Sequence, residues 1–234
     1  TNTTSFDGYY FKSNNKDFLV HNQIHSKMML DDDAQFADSE LTTRDKVVRL
    51  LNQANASSDY GTTLKNLKEI EELLLKRTDV DEDERSSLLY EFTESIVEFH
   101  LKPNVNVKCF VVSFIETLAK CYPEQILKVI DSFIILSSSN SGSNEKLIKK
   151  TLQTGIFVYR RTLNLLCTQS GKASDEDLKK LRETLLGHMT SEKDVVRNLT
   201  VKFKESVILC YSEVTTDANT VKTSAKNART SELG

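Results

Sequence analysis

Three short runs, "NVNVKC" at Asn104, "EKLIKK" at Glu145 and "KDVVRN" at Lys193, open three apolar helical segments in the same way. Each sets polar residues first, then aliphatics, then a base: Val107-Lys108, Ile148-Lys149 and Val196-Arg197. The anchors Val107, Ile148 and Val196 are spaced by 41 and 48 residues, and another apolar segment and a short loop precede each. Helix hairpins recurring at about that period are the mark of a stacked helical array. One hairpin cannot bury its apolar face alone, so neighbours must stack. The spacing predicts an all-α solenoid.

The remaining segments fit that reading. "TTRDKVVRLLNQANASSD" places Val47, Leu50, Leu51 and Ala54 on one face, with Thr43 as the expected N-cap. "TTLKNLKEIEELLLKR" aligns Leu64, Leu67, Ile70, Leu74 and Leu75, and "DERSSLLYEFTESIVEFHL" aligns Leu88, Leu89, Phe92, Ile96 and Phe99. Pro103 breaks the chain before the next helix, and Pro123 opens the one after it. Only seven glycines and two prolines are available, too few for a sheet linked by tight turns. About four antiparallel hairpins of HEAT type are expected between Thr43 and Glu213. Residues 1–42 read as a polar extension with an acidic run at Asp31 to Asp33. Residues 214–234 read as a polar tail or a truncated repeat.

Composition narrows function. A net charge of −3 supplies no global field for nucleic acid or an anionic membrane, and no apolar run reaches the length of a membrane span. The cysteines, at 109, 121, 167 and 210, form no C-x-x-C and read as buried reduced thiols, which favours a reducing compartment. His21 and His25 are spaced as a helical metal pair but lack a zincin glutamate and a third ligand. His100 and His188 end apolar helices. "DVDEDE" at Asp79 suits a helix first turn rather than an acid–base pair. "SGKAS" at Ser170 lacks the context of a phosphate loop. No catalytic residue, cofactor or metal site is expected.

Lys202 breaks the apolar pattern of the last helix. On a helical wheel it stands about 100° from the centre of the buried stripe at Phe203, beside Asn198 and Leu209. The matching ledge on the previous hairpin holds Lys150, Thr154 and Arg161, and on the one before it Cys109, Ser113 and Lys120. Stacking would align them into a mildly basic ridge along the second helices. Periodicity alone leaves two readings open: lysines idle on a helix shoulder, or a binding ridge. No exposed aromatics interleaved with these bases are expected, which argues against sequence-specific single-strand RNA recognition.

The runs "VVRLLNQA" at Val47, "LKNLKEIEELLL" at Leu64, "VKCFVVSFIETLAK" at Val107, "LIKKTLQTGIFVYR" at Leu147 and "VVRNLTVKFKESVI" at Val195 together resemble the N-terminal HEAT domain of the symplekin family. The resemblance implies a nuclear, non-catalytic scaffold of pre-mRNA 3′-end cleavage and polyadenylation. It also implies docking and stimulation of the phosphatase that acts on Ser5 of the RNA polymerase II C-terminal repeat, alongside other cleavage and polyadenylation subunits. Val201-Lys202-Phe203 is similar to the family's docking run, so a partner contact is carried to Lys202. Asn198, Lys150, Thr154 and Arg161 are added as partner-binding candidates from the ridge. An RNA-binding array and a generic protein-binding HEAT adaptor are the alternatives. The loop Ser137 to Asn144 looks longer than the family's.

Overall fold

The computed structural model describes residues 41–78, 80–138, 144–168 and 175–231, with side chains as far as Glu213. The chain divides into two units, Thr1–Thr42 and Thr43–Gly234, and every described helix belongs to the second. The expectations for Asp31 to Asp33, for His21 and His25 and for "SGKAS" lie outside the described residues, as does most of the Ser137 to Asn144 loop.

Among the described residues eight helices follow one another. They are α1 (Thr43–Ala56), α2 (Tyr60–Glu71, extended by a π turn Glu72–Lys76), α3 (Glu82–Val97, tightening into a 3₁₀ turn Glu98–Leu101) and α4 (Val105–Cys121). Then come α5 (Ile126–Ser137, entered through a 3₁₀ turn Pro123–Gln125), α6 (Glu145–Thr168), α7 (Asp175–Leu186, followed by a 3₁₀ turn Gly187–Thr190) and α8 (Asp194–Ser231). No strand occurs among the described residues. α1 starts at Thr43 itself, so its cap position falls on Thr42. α8 runs unbroken past Glu213, where the sequence reading ends the array.

The order builds two layers. First helices α1, α3, α5 and α7 touch in succession, second helices α2, α4, α6 and α8 do the same, and each hairpin closes on itself. This is an all-α, two-layer array of four hairpins. The stripes read from the sequence face inward. Leu67, Ile70, Phe92, Ile96, Phe114, Ile115, Phe133, Tyr159 and Phe203 are fully buried. Each such side chain contributes roughly 1.5–3 kcal/mol relative to exposure.

The repeat reappears in the caps and between them. The Asn104 side chain accepts from the N–H groups of Asn106 and Val107 at 2.9 and 3.1 Å. Asn144 accepts in the same way from Lys146 and Leu147 at 3.0 and 3.4 Å. These bonds satisfy N–H groups that a helix start leaves open. From these starts, Lys146 Nζ donates to Asn106 Oδ1 and Lys193 Nζ to Glu145 Oε2, both at 2.9 Å. α4 is thus tied to α6, and α6 to α8, at their starts.

Helix ends meet the glycine shortage differently. Glycine is the usual terminator because it frees the last carbonyls to be satisfied locally; here cationic or ring side chains from elsewhere do it. Arg85 of α3 is buried and donates to the carbonyls of Leu74 at 2.8 Å and Arg77 at 2.5 Å, closing the end of α2. Arg161 of α6 donates to the carbonyls of Ala119 and Lys120 at 2.7 and 3.3 Å, closing α4. His188, buried after α7, lies with Nε2 2.7 Å from the Ser137 carbonyl at the end of α5.

Cys109 and Cys210 are buried as expected, but Cys121 and Cys167 are exposed; all four are free. Both exposed thiols lie in the last turns of their helices, where the apolar stripe has run out.

One glycine sets a layer distance. A Cβ at Gly155 would stand 2.6 Å from Leu185 Cδ1, so an added methyl group there would force Leu185 to shift. Leu185 is fully buried and has little room to yield. Gly155→Ala is expected to lower the unfolding free energy by about 1–3 kcal/mol. A urea titration checks it, and an unchanged midpoint would show that the seam adapts.

Candidate functional site

The second helices turn one flank inward and leave the other accessible, and the candidate residues divide between the two. Asn198 and Lys202, four apart on α8, are both exposed. The Lys202 ammonium makes no hydrogen bond or ion pair among the described residues. Lys150 is half-buried and borders a groove across α2, α4 and α6. Thr154 is fully buried and donates to Glu116 Oε2 at 3.0 Å. Arg161 is spent on the end of α4.

The expected ridge is therefore not one exposed strip. Its register holds, for Thr154 and Lys202 are equivalent positions one repeat apart. What differs is the neighbour. On α6 a short threonine meets Glu116 of α4 and is sealed in. On α8 the equivalent residue is a long lysine, and the position equivalent to Glu116 is Phe157, an apolar ring that supplies no carboxylate. Lys202 stays in solvent.

Around it the surface is unusually apolar. Val195, Val201, Ile208 and Leu209, all on α8, are between 39% and 59% exposed. Val195 and Leu209 share the flank of Lys202, and Val201 and Ile208 lie about 100–120° further round the helix, so the solvent side of α8 is apolar on two flanks, which marks a binding surface more than a solvated one. The wheel reading placed Leu209 beside Lys202 but took no account of Val201 and Ile208. Their position outside the stripe was the available signal.

Phe157 was also missed. It is 36% exposed, and Lys120 Nζ sits 4.3 Å from its ring centroid, so an accessible aromatic does stand among the bases. It lies about 180° from Ile148 on the wheel, an aromatic opposite its own stripe. The same lysine binds Glu116 at 2.5 Å. Burial pushes the Glu116 carboxyl up, but hydrogen bonds from Lys120 and Thr154 and the charges of Lys120 and Lys150 outweigh it and hold it below its ordinary value.

Other shifted groups do not assemble into a reactive set. Burial pushes the Cys109 thiol up, away from the thiolate a nucleophile needs. Burial, and then the Lys108 charge, lower the buried His100. Tyr159 is pushed up by burial and by its hydroxyl contact to Tyr211, 3.0 Å away. Among the described residues no group of three or more His, Cys, Asp or Glu could hold a metal, and no helix is long and apolar enough to cross a membrane.

A stacked hairpin array with an accessible second-helix flank belongs to the helical-repeat solenoids, which act by presenting an extended surface. Within that class, residues 144–232 match the family model described as Symplekin/PTA1 N-terminal. The match bears out the symplekin resemblance and suggests a scaffold role in 3′-end processing. It spans α6, α7 and α8, and so contains Lys202 and its apolar surroundings.

Glu116 gives a pH test of the α4–α6 seam. With its folded pKa below 4.5, its contribution to stability is complete above pH 4.5 and is lost as pH falls through the folded value. The gap in urea midpoint between the wild type and Glu116→Gln should hold from pH 7 to pH 5 and narrow below about pH 4.5. A gap independent of pH would remove the charge from the seam.

Proposed function

We propose that this chain is a non-catalytic, nuclear scaffold of pre-mRNA cleavage and polyadenylation that docks, and stimulates, a Ser5 phosphatase of the RNA polymerase II C-terminal repeat. The α8 surface carries the contact. Support comes from one juxtaposition: inside the segment that matches the family, Lys202 is exposed, has no partner among the described residues, and shares its flank with the accessible aliphatics Val195 and Leu209, seven residues to either side. Such a surface offers an apolar anchor and one directional cation. The lysine donates a charge-assisted hydrogen bond to a carboxylate or a backbone carbonyl of the phosphatase, and the aliphatics exclude water around it. Asn198, one turn earlier on the same flank, adds an amide that can donate and accept.

The docking role does not extend to the whole ridge. Thr154 and Arg161 serve the α4–α6 seam, and Lys150 faces a separate groove. Other cleavage and polyadenylation subunits would use the rest of the array, whose first helices form a second layer.

Calorimetric titration of the phosphatase with Lys202→Ala tests this reading. Loss of a hydrogen bond to a charged group weakens binding by about 1.5–3 kcal/mol, roughly tenfold or more in Kd. Because Lys202 is exposed and unpaired, stability should stay within about 0.5 kcal/mol of the parent. Unchanged affinity would take Lys202 out of the interface.

A further inference from the structure

A groove of about 660 Å³ crosses α2, α4 and α6 at the end of the array away from α8. That volume falls within the range of about 300–1,000 Å³ typical of ligand clefts. Its floor is apolar: Leu64 of α2 is half-buried and Phe110 of α4 is 8% exposed. The Phe110 ring is stacked on Phe114, centroids 6.5 Å apart, which fixes it in place. The rim is cationic. Lys68 stands exposed on α2, and Lys146 and Lys150 line the α6 side.

The charges are arranged rather than scattered. Lys146 is oriented by its bond to Asn106 Oδ1. The charges of Lys146 and Lys150 both reach the Cys109 thiol on the groove wall, and that of Lys150 also reaches Glu116. Of the remaining lining charges, Lys76 is bound to Glu72 at 2.7 Å. The groove thus has a net positive side toward α6 and its two carboxylates, Glu71 and Glu72, at the α2 end.

We infer that this groove is a second docking site, and that it takes an acidic peptide segment of a partner protein carrying one large apolar side chain. The apolar side chain seats between Leu64 and Phe110, and the carboxylates meet Lys146 and Lys150. The apolar floor selects a peptide over a nucleic acid. A phosphodiester chain has no aliphatic or aromatic side chain to seat beside Leu64, and Phe110 is too buried to offer a base a stacking face. None of these groups belongs to the Lys202 surface, so the two sites can fail separately.

Fluorescence anisotropy of the full chain, with a fluorescein-labelled peptide of three aspartates, one phenylalanine and three further aspartates, tests the inference. Saturable binding is expected, weakening as salt screens the exposed charges. Reversing both lysines, Lys146→Glu with Lys150→Glu, should weaken it about tenfold or more, as two lost and inverted ion contacts imply. The milder pair Lys146→Gln with Lys150→Gln should weaken it less, and circular dichroism of both variants should match the parent. Replacing the peptide's phenylalanine with alanine should weaken binding several-fold, while Lys202→Ala should leave it unchanged. No saturable binding, equal affinity in both lysine pairs and the parent, or tighter retention of polyuridylate than of the peptide would overturn the assignment.

Discussion

In a stack of helix hairpins every unit leaves a flank that only its neighbour can seal. Here the seals are made twice, by apolar stripes meeting between the layers and by polar links from one second helix to the next. Because glycine is scarce, the helix ends depend on the same neighbours: Arg85, Arg161 and His188 close the carbonyl ends of helices in other parts of the array. Removing one of these partners would leave buried carbonyls unsatisfied, which costs more than the bond itself contributes. Hairpin order and helix termination are therefore one problem, solved by the same side chains.

The functional surface follows from where sealing stops. On α6 the flank toward α4 is consumed by Thr154, Phe157 and Arg161. On α8 the equivalent flank keeps Lys202 in solvent, and the outer face carries aliphatics that no described residue covers. A rigid array needs little rearrangement to present such a patch, so little ordering entropy opposes binding. The T-shaped contact of Tyr159 with Phe203, centroids 6.0 Å apart, anchors α8 to α6 directly beneath that surface. The cation and its apolar setting are thereby held on a regular helix rather than a loop.

Much of this was legible in the chain. The anchor spacing, the start residues of the second helices and the inward stripes all reappear as hairpins, caps and core. What the helical wheel could not say was which neighbour would close a given flank. It measures an angle from a helix's own stripe. Thr154 and Lys202 share that angle, yet one is sealed by Glu116 and the other is not, because the sealing partner lies 38 residues away from Thr154. Arg161 looked like a surface base for the same reason. Its real partners are backbone carbonyls, which carry no sequence signal at all. Cys121 and Cys167 were placed inside because their helices are apolar, although both sit where those helices emerge.

The claim most exposed to test is that partner contact is concentrated on α8. Hydrogen–deuterium exchange of the chain with and without a purified RNA polymerase II C-terminal-domain phosphatase would locate it. New protection should map to the segment from Asn198 to Leu209, with α1, α3 and α5 unchanged. Protection confined to those first-layer helices, or no change anywhere at saturating phosphatase, would contradict the account.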